Sequence, residues 1–225
     1  MNHNIPKRAV EAYVGEYASG KSEVAINRAL ELSRQGRQVT LVDLDIVEPC
    51  YTLRPIKKEL SDLGVSVMAW DTRETFGLGE AGNTIRPENR WALKRPGDII
   101  VDIGYGVEGS RTLNLLEGAD KDPDLRVYAV INIYRPMTSS VDDIVQYVKG
   151  LGRIDGIINN SHLGDNTTQE SVQRGAIEVS RAAAVLNLPM IATSVVQELA
   201  GEIGPEDIMG NPVWTMKRFM PRTLW

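Results

Sequence analysis

Short apolar runs alternate along the chain with longer stretches in which apolar residues recur at helical spacing. The runs that indicate buried strands are 9–14, 38–44, 65–70, 98–103, 127–133, 154–160 and 189–196. The stretches that indicate helices are 21–35, 140–149 and 167–186. Strands that alternate with helices in this way are typical of βαβ units and a parallel sheet. The pattern predicts an α/β fold with three layers, α/β/α, around a mostly parallel central sheet.

Capping residues mark the ends of the predicted helices. Gly36 ends the first helix, because glycine readily takes the left-handed conformation found there. Ser140 caps the start of the second. Thr167 and Glu170 form a capping box ahead of the third, which ends near Leu186.

Two regions fall outside the regular alternation. Residues 70–97 are the least regular part of the chain and are interpreted as an insertion that covers the site. The tail, 211–225, carries large apolar residues and three basic residues but no acidic one. We expect it to pack on the domain or over the ligand. Membrane contact is the less favoured alternative, because Pro221 interrupts the segment.

Composition narrows the class of protein. The chain has 225 residues, of which 42% are hydrophobic and 24% charged, and its net charge is −5. Residues 1–225 are expected to form one domain, and no nucleic-acid partner is expected for so acidic a chain. The single cysteine, Cys50, excludes an intramolecular disulfide and favours the cytoplasm. We find no signal-peptide pattern and no run of about 18 apolar residues that would span a membrane.

The segment GEYASGKS joins the first predicted strand to the first predicted helix. It matches the phosphate-loop template, a glycine, four free positions, then Gly-Lys-Ser. Lys21 is expected to reach the β- and γ-phosphates, and Ser22 to bind Mg²⁺. The residues expected to contact the nucleotide are Gly15, Glu16, Tyr17, Ala18, Ser19, Gly20, Lys21 and Ser22.

Carboxylates follow two of the predicted strands. Asp45 comes after the second strand and is expected to orient an attacking water or a Mg²⁺-bound water. For Asp43, two positions earlier, a turn or capping role is the alternative. Asp102 ends the strand DIIVDI and has the form of a Walker B aspartate, with Gly104 close to the γ-phosphate. The predicted catalytic residues are Lys21, Asp45 and Asp102, and the predicted Mg²⁺ ligands are Ser22, Asp45 and Asp102.

Asn159 and Asn160 leave a later strand at the position where a base is expected. An amide both donates and accepts, so it pairs with the N6 and N7 edge of adenine. The guanine signature Asn-Lys-x-Asp does not occur. ATP is therefore favoured over GTP. His162 is expected to be a capping or packing residue, with a nucleotide contact as the less favoured alternative. Arg135 is expected to be a surface residue, with a contact to a phosphate or a substrate carboxylate as the alternative.

These motifs span about residues 8–196 and, in this order, resemble the MinD/ParA/CobQ-like branch of phosphate-loop NTPases. The segments that carry the resemblance are GEYASGKS, LVDLDIVEPCYTLR, DIIVDIGYG and GIINNSHLG. The resemblance implies that Asp45 is the hydrolytic aspartate and that Asp102 and Gly104 belong to the second switch. NIYRP and INNSHL are also similar to runs in a bacterial group of ATP-binding proteins that has no assigned reaction.

One position departs from that branch. MinD and ParA proteins carry a second lysine directly after the first loop glycine, which reaches the partner's phosphates across a dimer. Here the residue is Glu16, and a carboxylate repels phosphate unless it is protonated or turned away. A homodimer stays open, with its cation supplied by Arg54, Arg73 or Arg86.

Several functions are compatible with these residues. The favoured one is a slow Mg²⁺-dependent ATPase that acts as a switch, with residues 45–54 and 102–110 read by an unknown protein partner. An ATP-dependent small-molecule kinase or ligase, similar to dethiobiotin synthetase, is the alternative. A GTP-dependent metallochaperone is less favoured, because two histidines and one cysteine make a poor metal site. A nucleotide-binding scaffold without catalysis also stays open.

Overall fold

The computed structural model describes residues 8–45, 53–70 and 86–220. Its strands form one eight-stranded parallel sheet in the order β3-β2-β4-β1-β5-β6-β7-β8. The strands are β1 (Val10–Gly15), β2 (Val39–Leu44), β3 (Ser66–Met68), β4 (Asp98–Ile103), β5 (Leu125–Ile131), β6 (Gly156–Asn159), β7 (Met190–Val196) and β8 (Val213–Met216). The parallel α/β architecture predicted from the apolar runs is confirmed.

Helices cover both faces of this sheet. They are α1 (Lys21–Arg34), α2 (Lys57–Asp62), α3 (Gly106–Arg111), α4 (Val141–Gly150), α5 (Gln169–Leu186) and α6 (Gln197–Ile203). Short 3₁₀ helices lie at Arg54–Ile56, Pro87–Lys94, Thr112–Leu115, Pro136–Thr138 and Gly164–Asn166. Alternate side chains of β1 enter two apolar clusters, one with α1 and α2, the other with α4 and α5. No helix among these residues is long and apolar enough to cross a bilayer.

The strand order reverses next to β1. From β1 the chain runs out to β2 and β3, returns through β4, and then continues on the other side of β1 to β5. Ligands of open α/β sheets bind at the carboxyl ends of strands at such a reversal. The segment that joins β1 to α1 lies at this point.

The cap of α5 differs from the sequence prediction by one residue. The N-cap is Thr168, and its capping-box partner is Ser171 rather than Glu170. The hydroxyl of Thr167 instead accepts the Leu163 N–H at 2.9 Å and donates to the Gly164 carbonyl. The Thr167 side chain therefore bonds within the preceding loop and does not cap the helix.

The described parts of the two irregular regions, 70–97 and 211–225, both contact the main sheet. The 3₁₀ helix Pro87–Lys94 buries Ala92 and Leu93 against the sheet, whereas residues 71–85 of the predicted insertion lie outside the described residues. The tail supplies β8, which pairs in parallel with β7. The sequence did not predict this strand. Residues 221–225 lie outside the described part of the chain.

A buried polar network ties β1 to α1. The Tyr13 hydroxyl donates to a Glu11 carboxylate oxygen at 2.6 Å, and Arg28 contacts both oxygens of Glu11 at 3.0 Å. The Arg28 guanidinium also lies 5.5 Å from the ring centre of Trp214 on β8. Because Glu11 is only 7% exposed, its charge depends on this cation.

Arg28→Ala is expected to lower the free energy of unfolding by about 2–4 kcal/mol, because it leaves the Glu11 carboxylate buried without a cation. Urea denaturation at neutral pH measures the loss. The matched control is Arg181→Ala, whose partner Glu178 lies on a solvated helix surface; it is expected to cost less than about 1 kcal/mol. Equal losses in the two variants would show that the network does not stabilise the fold.

Candidate nucleotide site

The phosphate-loop segment wraps tightly between β1 and α1. A Cβ on Gly15 would lie 2.5 Å from the Val130 carbonyl oxygen, and one on Gly20 would lie 2.0 Å from Asn160 Nδ2. Gly20 also has a φ of +86°, which favours glycine. Lys21 is buried, and its Nζ lies 3.5 Å from the Glu16 carbonyl oxygen. The loop therefore forms a cradle at the N-terminus of α1, where N–H groups attract anions.

Asp102 lies behind this cradle at the end of β4. It pairs in register with Tyr13 on one side and Asp43 on the other, and it is fully buried. Within the described chain, neither carboxylate oxygen has a hydrogen bond of good geometry. Burial raises the pKa of Asp102 to about 7, while the Lys21 ammonium and the Ser22 hydroxyl oppose that shift.

Asp43 and Asp45 take different places at the end of β2. Asp43 accepts the Asp45 N–H at 3.0 Å, which matches the turn role left open for it. Burial, followed by the charge of Asp102, raises the pKa of Asp43 to about 8. Asp45 lines the cleft in front of the loop. Asp45 is thus placed to face a ligand, whereas Asp43 shapes the turn.

The residues present fit a magnesium ion. A buried carboxylate with unsatisfied oxygens, next to a serine hydroxyl, is a natural ligand pair for a hard cation. Among the described residues no group of three or more His, Cys, Asp or Glu side chains is arranged to hold a metal. Ser22 and Asp102, with Asp45 nearby, would therefore share Mg²⁺ with phosphate and water oxygens.

The two asparagines after β6 have separate environments. Asn159 is fully buried, donates to Thr193 Oγ1 at 3.2 Å, and accepts from the backbone and hydroxyl of Ser161. Its amide makes these hydrogen bonds inside the core, and Asn159 does not line the cleft. Asn160 does line the cleft. It donates to the Ser19 carbonyl at 2.7 Å and accepts from the Ser194 hydroxyl at 2.6 Å, so it braces the phosphate loop against β7.

The Glu16 carboxylate turns away from the cradle. Its Oε1 accepts the Met137 N–H at 3.1 Å, and its Oε2 lies 3.1 Å from the Thr138 hydroxyl oxygen. Met137 and Thr138 belong to the 3₁₀ helix after β5, whose N-terminal N–H groups favour an anion. Because the carboxylate points away from the cradle, the repulsion expected between it and a phosphate is reduced. Glu16 instead connects the loop to the neighbouring 3₁₀ turn.

The cradle opens into a cleft of about 770 Å³. The predicted site residues that line it are Tyr17, Ala18, Gly20, Lys21, Ser22, Asp45 and Asn160. The predicted site residues that do not line it are Gly15, Glu16, Ser19, Asp102, Gly104 and Asn159. Arg135 also lines the cleft and donates to the Ala18 carbonyl at 3.0 Å. The Tyr17 ring meets the Tyr105 ring edge-on, with centroids 5.3 Å apart.

His162 lies in the cleft as a neutral side chain. Burial lowers its pKa to about 4, and the cations Arg135 and Arg218 add to the effect. Its Nδ1 accepts the Gly164 N–H at 3.3 Å, so the proton belongs on Nε2. The N-cap of the 3₁₀ helix that follows is Leu163 and not His162, so the capping role expected for His162 stays a prediction. Arg218 in the tail had no motif that pointed to the cleft.

Two of the three arginines considered in place of the second lysine, Arg54 and Arg86, interact with other groups of their own chain. Arg54 is buried near Asp43, where it lowers the pKa of that carboxyl against the larger effect of burial. Arg86 donates to the Ala69 carbonyl and lies 5.2 Å from the ring centre of Trp70. Arg73 lies outside the described residues.

Similar solved structures share this fold. The cell division protein FtsY from Thermotoga maritima matches with a TM-score of 0.51 and 18% identity, over 84% of this chain and 62% of FtsY. FlhF complexed with GTP and Mg²⁺ matches with a TM-score of 0.52 and 12% identity, over 81% and 64%. The 54 kDa signal recognition particle protein from Aeropyrum pernix, in complex with GDP, matches with a TM-score of 0.52 and 22% identity, over 96% and 45%.

These matches show the phosphate-loop NTPase fold and do not single out the MinD/ParA branch. The chain spans less than two thirds of the length of each of these three structures. No protein-family model matches the chain. No curated protein matches it either.

Asp102→Asn is expected to stabilise the protein free of metal and nucleotide. The folded protein holds a proton on Asp102 at pH values where the unfolded chain has lost it, so this carboxyl destabilises the fold increasingly as pH rises from about 4 to about 7. Thermal melting in chelator should give the variant a Tm about 4–8 °C above wild type at pH 8, with the difference narrowing toward pH 5.

The matched control for this comparison is Asp62→Asn, because Asp62 is exposed. Its Tm difference from wild type should not depend on pH. A constant difference between wild type and Asp102→Asn from pH 5 to 8 would contradict a raised pKa at Asp102.

Proposed function

We propose that the protein binds Mg²⁺–ATP in this cleft, hydrolyses it slowly, and presents the bound state to a protein partner in the cytoplasm. The observation that carries the proposal is Asp102. A fully buried carboxylate without good hydrogen bonds costs stability, and it lies beside Lys21 and Ser22 of the loop. Such a group is explained by a cation that it would hold together with phosphate.

We assign a separate role to each of the main residues of the cleft. Lys21 and the N–H groups at the start of α1 would neutralise and orient the phosphates. Bound Mg²⁺ would supply charge neutralisation for the transferred phosphoryl group. Asp45, at the cleft surface, would orient the attacking water. No second lysine is needed to bind the nucleotide, and the slow hydrolysis that we propose is consistent with its replacement by Glu16.

Adenine is the base that we propose. Guanine recognition uses a free carboxylate for its N1 and N2 groups, and the described carboxylates lining the cleft are Glu23, Asp45 and Asp165. Glu23 accepts backbone N–H groups, Asp45 faces the phosphate end, and Asp165 pairs with Arg218. FlhF and the signal recognition particle protein are complexed with GTP and GDP, so guanine nucleotides are the direct competitors to test.

The switch would act through the segments beside the phosphates. Tyr105 precedes the short helix α3 and contacts Tyr17 of the loop. A change at the γ-phosphate would therefore reach α3 through Gly104 and Tyr105. We propose that a partner reads residues 102–110, which include most of α3, and the predicted switch segment 45–54, of which 46–52 lie outside the described residues. Glu16 gives no support to a homodimer built on a lysine that crosses between subunits.

The proposal predicts that MgATP binds and is turned over slowly. Isothermal titration calorimetry should show ATP binding tighter than GTP by about tenfold or more, which corresponds to ~1.4 kcal/mol of base recognition. Lys21→Ala should abolish binding. Asp45→Asn should keep the Kd within about threefold and lower phosphate release about 100-fold or more. Tighter binding of GTP than of ATP would show that the site prefers guanine. Binding of ATP without phosphate release by the wild type would indicate a nucleotide-binding scaffold without catalysis.

Glu16→Gln is expected to leave the affinity for MgATP within about threefold of wild type, because the carboxylate faces Met137 and Thr138. The variant should lose about 1–2 kcal/mol of unfolding free energy, since the amide cannot accept both contacts. Calorimetry and urea denaturation measure the two effects. An affinity that rises tenfold or more would mean that the charge repels the phosphates and that the side chain points into the cradle.

A further inference from the structure

The C-terminal segment forms part of the lining of this cleft. Met216, Arg218 and Met220 line it on one side. The loop that follows β6 lines it on the other side, with Ser161, His162 and Asp165. This loop reaches the phosphate cradle, because a Cβ on Gly20 would lie 3.5 Å from His162 Nε2. A nucleotide whose phosphates occupy the cradle would therefore have these two walls within reach of its base.

The tail wall is anchored to the helix that starts at the cradle. The Glu23 carboxylate on the first turn of α1 accepts the N–H of Phe219 at 2.9 Å and of Met220 at 2.7 Å. One turn later, the Asn27 side chain donates to the Lys217 carbonyl and accepts the Lys217 N–H, both at 2.9 Å. These backbone contacts hold residues 217–220 at a set distance from Lys21 and Ser22.

One ion pair bridges the two walls. The Arg218 guanidinium contacts the Asp165 carboxylate. The cation also lies close enough to His162 to help lower the pKa of that imidazole. A planar guanidinium held by a carboxylate keeps its face available for stacking on an aromatic ring. Apolar Val195, Val196 and Met216 also line the cleft, and apolar lining suits a flat, weakly polar heterocycle.

We propose that Arg218 binds the purine ring of the nucleotide by stacking its guanidinium on the ring face, with Asp165 as the positioning residue that holds the guanidinium in place. The inference rests on the proposed function, because it requires a nucleotide with its phosphates in the cradle. It assigns the base end of the site to the C-terminal segment. It also gives the tail a role in ligand binding besides its packing as β8.

The test separates the base from the phosphates. Isothermal titration calorimetry with MgATP and with magnesium tripolyphosphate, which has no base, is carried out on the full chain. Arg218→Ala should weaken ATP binding about tenfold, the size expected for a cation over an aromatic ring in a partly desolvated site. The same variant should bind tripolyphosphate within about twofold of wild type. Arg218→Lys, which keeps the charge without the planar group, should fall between wild type and Arg218→Ala for ATP.

Lys217→Ala is the matched control. Lys217 is the neighbouring cation, it does not line the cleft, and its contacts to Asn27 are made by the backbone. It should bind both ligands as wild type does. Asp165→Asn should weaken ATP about threefold and leave tripolyphosphate unchanged.

Three results have distinct meanings. If wild type binds ATP and Arg218→Ala binds it within twofold, the stacking role is wrong while the proposed function stands. If Arg218→Ala loses equal affinity for ATP and for tripolyphosphate, the stacking role is also wrong, and the loss reflects either charge or folding. A lowered Tm of the variant would indicate folding, and an unchanged Tm would indicate charge. If wild type binds neither ligand, the proposed function itself fails.

Discussion

The structure depends on one electrostatic constraint, a carboxylate buried at the end of a central strand. Asp102 is fully enclosed between β1 and β2, and its ordinary charged form is disfavoured there. A group in this position destabilises the fold unless a ligand or a cation compensates for it. Lys21 and Ser22 are brought beside it because the loop must turn back over the strand ends. Binding and folding are therefore coupled at the same few atoms.

The loop approaches its neighbours so closely that only glycine fits at two positions. The Val130 carbonyl limits Gly15, and the Asn160 amide limits Gly20. Asn160 in turn bonds to Ser194 on β7. The cradle is thus supported by β5, by the residues after β6 and by β7, which all lie on the same side of β1. Preformed donors of this kind lose little entropy when an anion binds.

Positions 16 and 17 of the loop, which the phosphate-loop template leaves free, contact other segments of the chain. Glu16 contacts the turn after β5, and Tyr17 contacts the residue that precedes α3. Both link the phosphate end to neighbouring segments of the same chain. The tail lines the same cleft and is held there through Glu23 and Arg218. The tail is therefore attached to the first turn of α1 through Glu23, and the segment before α3 is attached to the loop through Tyr105 and Tyr17.

The sequence by itself determined the parallel α/β architecture, the positions of the loop glycines, and the carboxylates at the strand ends. These features depend on local composition and on apolar periods that a single chain displays. Only the tertiary structure decided which of the adjacent Asn159 and Asn160 faces the cleft, which way Glu16 turns, and that the tail adds β8 and brings Arg218 to the site. Each of these depends on partners distant in sequence, such as Thr193, Met137 and Asp165, which no local pattern encodes.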